Sequence, residues 1–262
     1  MLRTENVYKR FKNGFVALEN LNLQIQPGEI ISLVGTSGCG KSTLLRIIAG
    51  LEQTTAGTVY IDNEPIASPH PNIGIIFQEP RLMPWLNVWD NVQFGLGTAA
   101  PLKRKTLIAA TLAKVGLTEF AHALPCQLSG GMAQRVAIAR ALVTQPSILL
   151  LDEPFSALDA FTRMKLQDHL LHIWNNDRPT LIFVTHDIEE ALLISDRIIV
   201  MQGNPGRIHR EFTPNLSRPR KRTEQKLQRW KERLLAELDL SLTDSPLEEP
   251  ALKERLITEL TY

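Results

Sequence analysis

Cysteine is nearly absent: the 262 residues hold only Cys39 and Cys126, with no CxxC pair and no ligand cluster at metal-binding spacing. That excludes a disulfide scaffold or zinc module and predicts two free thiols. No uncharged apolar run reaches the roughly 18 residues of a membrane span, and the start "MLRTENVYKRFKNG" lacks the apolar core of a signal peptide. The chain is therefore expected in the cytosol. Net charge is also missing, with 29 Lys and Arg against 28 Asp and Glu, so the formal +1 argues neither for nor against nucleic acid. Internal repeats and low-complexity tracts are absent. What remains, 44% hydrophobic and 22% charged, is a soluble globular composition, long enough for one large domain with a subdomain or for two small domains.

Charge is uneven along the chain. Arg207 to Arg233 carries ten basic residues against three Glu, a local +7, whereas Asp239 to Tyr262 has six acidic against two basic, a local −4. Residues 211–262 therefore read as a separate C-terminal unit after a core of residues 1–210.

Short β-rich runs recur at 21–25, 30–35, 58–61, 72–77, 147–152, 180–185 and 197–201. Those at 30, 147 and 180 are continuously apolar, as suits central strands covered on both faces. Helical patterns follow three of them, at Lys41 to Ala49, about Phe161 to Asn175 and Asp187 to Ser195, so the fold class is α/β with a mainly parallel sheet. Residues 80–144 differ. They read as helices broken at Pro84, Gly95, Gly97, Pro101 and Pro125, a helical subdomain inserted in the α/β core.

In the tail, Leu227, Trp230, Leu234 and Leu238 form one apolar stripe on a basic helix, and Leu252, Leu256 and Leu260 repeat it beyond Pro250. Such a helix packs on the core, binds a regulator, or lies on an anionic membrane surface through Arg218, Arg220, Lys221 and Arg222. Packing is the expectation, because the first stripe is leucine-rich with a single aromatic.

"GTSGCGKST", Gly35 to Thr43, matches G-x-x-x-x-G-K-[ST] between a predicted strand and a predicted helix, which makes it a phosphate loop. Gly35, Gly38 and Gly40 permit the tight turn in which the backbone amides of Thr36, Ser37, Cys39, Ser42 and Thr43 face phosphate oxygens at a helix N-terminus. Lys41 reaches the β- and γ-phosphates of a nucleotide, and the Ser42 hydroxyl is placed for Mg²⁺. "ILLLDEP" ends a buried strand in two carboxylates: Asp152 suits the metal through water, and Glu153 suits polarising an attacking water.

A second Ser-Gly-Gly opens "LSGGMAQRVAIARAL", where Ser129 is a plausible N-cap and Gly130 and Gly131 let backbone approach an anion. It lies 88 residues from Lys41, whose site already has its donors, so it must serve something else.

Phosphate loop, "LSGGM", "LLLDEP", "SALD" and "VTHD", in this order, resemble the ATP-binding subunits of ABC transporters. The resemblance covers about residues 3–210 and implies a P-loop NTPase cassette with an antiparallel β part near the N-terminus. It also implies that Ser129, Gly130 and Gly131 close over ATP held by a second copy or close paralogue. Residue by residue, Gln78 in "IIFQEP" matches the glutamine that contacts Mg²⁺ or water, and His186 matches the switch histidine that steadies the γ-phosphate and attacking water. Asp159 in "SALD" matches the aspartate that bridges two subunits, and Phe11 in "VYKRF" matches the aromatic laid against adenine, with Tyr8 and Phe15 as competitors. The family's usual fifth signature residue, Gln, is here Met132, so a polar contact is replaced while the Ser-Gly-Gly remains.

"QEPRLMPWLNVWDNVQFGL", "NPGRIHREF" and "LSRPR" further resemble the nitrate, sulfonate, taurine and bicarbonate importer ATPases. In that subfamily, Arg81 to Asn91 would receive a short helix of an integral membrane permease, an extracytoplasmic binding protein would act indirectly, and the chain would sit peripherally on the cytoplasmic face of the inner membrane. Trp85 and Trp89, four apart, divide between this face and the helical subdomain's own core. The alternative is a soluble ABC-type ATPase acting on ribosome or DNA. One uninterrupted cassette opposes it, and no nucleic acid is expected.

Overall fold

The computed structural model describes residues 1–96 and 101–243, so Gly97 and the stripe at Leu252, Leu256 and Leu260 lie outside the described residues. The chain opens with β1 (Leu2–Arg10), β2 (Val16–Ile25), β3 (Ile30–Gly35) and α1 (Lys41–Ile48), then β4 (Ala56–Ile61), β5 (Glu64–Ile66) and β6 (Ile73–Ile76). Helices α2 (Val88–Gln93), α3 (Pro101–Lys114) and α4 (Gly130–Leu142) follow. The remaining elements are β7 (Ile148–Asp152), α5 (Ala160–Asp177), β8 (Thr180–Val184), α6 (Ile188–Ile194), β9 (Arg197–Gln202), β10 (Arg207–Phe212) and α7 (Gln225–Thr243).

The strands form a six-stranded sheet, β10-β9-β3-β8-β7-β6, parallel except for β10, and a four-stranded antiparallel sheet, β2-β1-β4-β5. In the parallel sheet every residue of β3 and β8 is buried, and neighbours along a strand serve opposite cores. Leu149, Leu151, Leu181 and Phe183 face the core shared with α4, α5, α6 and α7. Leu150, Ile182, Ile31 and Leu33 face the core shared with α1 and the antiparallel sheet. Burial on both faces is why these strands are apolar without alternation.

β1, β5 and β10 depart from the sequence expectation. In β1 the buried set is Leu2, Thr4, Val7 and Lys9, and a register shift between Thr4 and Val7, where Asn6 takes φ +48°, breaks the two-residue period. β5 is only three residues long and contains Pro65. β10 carries three charges in six residues and crosses residue 210, so the basic stretch enters the sheet before it turns into the tail.

The tail then packs. Leu227 and Leu234 of α7 are fully buried, with Trp230 and Leu238 partly buried against the same core, and Trp230 meets Phe212 edge-on at 6.2 Å. Arg220 donates to the carbonyls of Leu192 and Ser195, both at 2.6 Å, and Arg218 donates to that of Ile194 and pairs with Asp196. Burial pushes the Arg220 guanidinium down to about 10. Of the four basic residues offered to a membrane, Arg218, Arg220 and Arg222 are therefore engaged with the core, and Lys221 is exposed. No helix among the described residues is long and apolar enough to cross a membrane.

Candidate nucleotide site

The phosphate loop joins β3 to α1 at the C-terminal edge of the parallel sheet, where open α/β sheets bind ligands. Gly40 caps α1 at φ +94°, and a Cβ there would stand 2.6 Å from Leu18 Cδ2 and 2.8 Å from the Ala17 carbonyl, so only glycine fits. The Lys41 ammonium is buried and donates to the carbonyls of Gly35 and Thr36, both at 2.8 Å, while the Cys39 amide donates to Thr36 O. The loop thus holds its lysine inside its own curve. Next to it the Ser42 hydroxyl donates to Asp152 Oδ1 at 2.8 Å across 110 residues. A hydroxyl and a carboxylate side by side at a helix N-terminus are an all-oxygen donor pair, which fits Mg²⁺. Bound there with water completing its shell, that ion would offset phosphate charge.

Glu153 follows at φ +47°, a left-handed conformation costly for a residue other than glycine, and its amide donates to Val184 O at 3.0 Å. Its side chain meets His186, whose Nδ1 lies 3.0 Å from Glu153 Oε2. Ser37, Gly38, Lys41, Ser42, Thr43, Glu153 and His186 line one cavity of about 520 Å³, and Phe15 and Ala17 complete its wall. Phe15, not Phe11, is the aromatic on this wall; Phe11 stacks on it at 6.4 Å and carries Lys9 Nζ 5.0 Å from its own centroid.

Gln78 is exposed just past β6, whose neighbour β7 delivers Asp152. The loop it opens is bound to α4: Gln134 Nε2 donates to Phe77 O at 3.3 Å, and Arg140 donates to the carbonyls of Pro80 and Arg81 at 2.7 and 2.8 Å. Burial lowers the pKa of Arg140. Further on, fully buried Asn91 accepts from Met83 N at 2.8 Å and donates to the carbonyls of Leu86 and Asn87, fixing the turn that presents Trp85 at 74% exposure. Trp89 instead packs against the core. The two tryptophans thus divide between surface and core although a spacing of four would put both on one helix face, because Trp85 lies before α2 begins.

Ser129 caps α4, accepting from Met132 N at 3.3 Å, but it lines a different cavity of about 410 Å³ with Gly131, Arg135, Phe161, Thr162, Lys165 and His169. The two cavities share no residue. Asp159 is fully exposed and caps α5, accepting from the amides of Phe161 and Thr162; the Thr162 hydroxyl, then its amide, hold the Asp159 carboxyl below the usual range. Structure therefore gathers Lys41, Ser42, Asp152, Glu153 and His186 at one site and keeps Ser129, Gly130, Gly131 and Asp159 apart from it. Thr185, inside "VTHD" but given no role by the sequence, holds the segment around His186 from beneath together with Glu190 and Gln167, which lie in no motif and were not anticipated.

Residues 18–156 match the ABC transporter family model. The chain is 52% identical over 236 residues to aliphatic sulfonates import ATP-binding protein SsuB 1 of Xanthomonas axonopodis pv. citri, covering 88% of this chain and 93% of that protein. It is 48% identical over 227 residues to SsuB of Bacillus anthracis, covering 85% and 88%. Among solved structures, the dimeric ATP-binding cassette MJ0796 in a post-hydrolysis state bound to ADP and Pi is 38% identical, with TM-score 0.71 over 81% of this chain and 98% of that one. The cbiO1 component of the Clostridium perfringens cbiONQ transporter is 27% identical, with TM-score 0.76 over 91% and 94%.

Proposed function

The chain belongs to the ABC transporter family as an ATP-binding, ATP-hydrolysing subunit, and from that premise we propose that two copies close head to tail over two MgATP to drive uptake of a small anion. The observation that carries this is the separation of the two anion-facing helix ends. Lys41 and Ser42 open one cavity and Ser129 opens another, with no residue in common, which supports the reading that each is half of a site that a second copy completes. In that closed pair, Ser129, Gly130 and Gly131 of one copy meet the γ-phosphate held by Lys41 and the loop amides of its twin, and Asp159 lies at the junction.

Within one copy, Glu153 accepts a proton from the attacking water while His186 holds that water and the γ-phosphate in line, with Phe15 or Phe11 covering the base. Ser42, Asp152 and Gln78 would hold Mg²⁺, which would offset charge on the phosphates. Gln78 also starts the loop that α4 grips through Gln134 and Arg140, and that loop leads to Trp85. Closure at the nucleotide therefore pulls on the surface from Arg81 to Asn91, against which a permease helix docks with Trp85 as its aromatic anchor.

Cargo never touches this subunit. Relatives named for aliphatic sulfonate import favour a sulfonate among the nitrate, sulfonate, taurine and bicarbonate class. An extracytoplasmic binding protein would act indirectly, and the subunit would be held peripherally at the cytoplasmic face of the inner membrane.

The test is mass spectrometry of whatever co-purifies with the tagged chain from detergent-solubilised membranes of its host. A multi-span permease is expected. Ribosomal or DNA-repair proteins with no membrane partner would leave the ATPase chemistry standing and replace transport with the soluble alternative.

A further inference from the structure

His186 is exposed and meets Glu153 with its ring, so its placement depends on the backbone to either side. Both sides are pinned. Thr185 N donates to Leu33 O at 3.2 Å, the Thr185 hydroxyl donates to Glu190 Oε2, and Asp187 N donates back to the same Thr185 oxygen at 3.0 Å. Asp187 in turn caps α6, accepting from the amides of Glu189 and Glu190.

Glu190 is a buried carboxyl with a second donor, Gln167 Nε2 at 2.7 Å, and Gln167 Oε1 accepts from Arg222 Nη2 at 2.6 Å. The direction of this chain is fixed by chemistry. A guanidinium can only donate, so the Gln167 oxygen must face Arg222 and its amide nitrogen must face Glu190. Arg222 is held in place by Glu189 at 3.3 Å, which also pairs with Lys231 of α7 at 2.9 Å. A single fork of the C-terminal segment therefore sets the orientation of a buried amide two bonds from the switch loop.

We propose that Glu190 is a positioning residue for His186, and that Arg222 acts on the histidine through Gln167, Glu190 and Thr185. The inference rests on the reading of His186 as the residue that holds γ-phosphate and water. Without Arg222 the Gln167 amide loses the bond that anchors its oxygen end, so its nitrogen holds Glu190 less firmly, which weakens the grip on Thr185 and lets the switch loop wander. ATP is held by the phosphate loop, which the relay does not touch, so the loss falls on turnover and not on nucleotide affinity.

The experiment measures kcat and KM for ATP in the full-length protein for Arg222→Ala, Thr185→Val, Thr185→Ser and His186→Ala, with Tm as a folding control. Arg222→Ala and Thr185→Val are expected to lower kcat roughly tenfold, the scale of a modest displacement of a catalytic group, with KM within about twofold of wild type. Thr185→Ser, which keeps the hydroxyl, retains turnover. In a His186→Ala background, Arg222→Ala costs nothing further, because the relay then has nothing to position. Unchanged kcat in Arg222→Ala and Thr185→Val would overturn the relay, as would losses that persist in full in the His186→Ala background. Wild-type kcat in His186→Ala alone would instead overturn the histidine reading on which the relay is built.

Discussion

His186 Nδ1 and Glu153 Oε2 stand 3.0 Å apart although 33 residues separate them, because each follows the end of a neighbouring parallel strand, β8 for the histidine and β7 for the glutamate. The amide of Glu153 is tied to Val184 O, so the sheet itself sets the spacing of the two residues proposed as base and switch. A carboxylate that must accept a proton cannot be replaced by an amide. Glu153→Gln is expected to bind ATP and to dimerise while hydrolysis falls by roughly 10²–10⁴-fold. Steady-state turnover beside gel filtration with ATP checks this, and wild-type hydrolysis in the variant would remove Glu153 from the mechanism.

The two signature glycines do different jobs. A Cβ on Gly131 would stand 2.5 Å from Thr162 Cγ2, whereas one on Gly130 would meet only Leu158 at 3.7 Å. Gly131→Ala therefore forces α4 from α5 and should cost about 1–3 kcal/mol, as overpacked contacts do, with most of it restored by Thr162→Ser, which removes the opposing methyl. Gly130→Ala should leave Tm unchanged. Thermal melts of the three variants decide; equal melting of Gly130→Ala and Gly131→Ala would mean that the α4–α5 contact yields freely.

The apolar runs of β3, β7 and β8 could be read directly because they are buried on both faces, and the helix starts at Lys41 and Ser129 because a glycine and a capping side chain mark them, whereas the family resemblance marks Asp159 only as a bridge between subunits and not as the cap it gives α5. β1 could not, since the irregularity at Asn6 shifts the alternation and Arg3, Glu5 and Lys9 fill it with charge. The phosphate-loop residues sit in one contiguous motif. The wall aromatic does not: whether Phe11 or Phe15 faces the cavity depends on the turn between β1 and β2, which no local pattern specifies. Likewise a cluster of four basic residues from Arg218 to Arg222 reads as a free surface, and only tertiary structure shows three of them bonded to the α6 carbonyls and to Gln167.

Trp85 and Trp89 make a matched pair for the permease reading. Trp85 is 74% exposed on a turn held by Asn91, while Trp89 packs, partly buried, against the core. Trp85→Ala should leave Tm and basal ATP hydrolysis as they are and abolish co-purification of the permease. Trp89→Ala should lower Tm, by an amount corresponding to the roughly 3–5 kcal/mol of a truncated core tryptophan or somewhat less for its partial burial. Retention of the permease by Trp85→Ala would place the docking face elsewhere.

Leu234 and Leu235 are neighbours on α7 with opposite surroundings, one fully buried and the other 46% exposed. If the helix docks through the Leu227, Trp230 and Leu234 stripe, Leu234→Ala costs about 2–5 kcal/mol and Leu235→Ala stays within about 0.5 kcal/mol, as exposed substitutions do. Chemical denaturation of the full chain measures both. Equal, small effects would mean that α7 contributes little to the stability of the core.

His169 links stability to pH near the signature helix. Burial is the largest cause lowering its pKa, with Arg135 and His172 adding repulsion, and its Nε2 is buried without a hydrogen-bond partner. The folded protein therefore resists a proton that the unfolded chain accepts near the ordinary 6.5. Above that value both states are neutral and the residue costs nothing; as pH falls below it, the unfolded state gains the proton first and stability declines until the lowered folded pKa is passed. His169→Gln removes the titration without removing the bulk. Comparing Tm of the two proteins between about pH 5 and 7.5 isolates this residue from the other histidines, which both share. The wild-type protein is expected to lose Tm relative to His169→Gln as the pH drops, and a difference that stays constant across the range would show that His169 is protonated as readily in the fold as outside it.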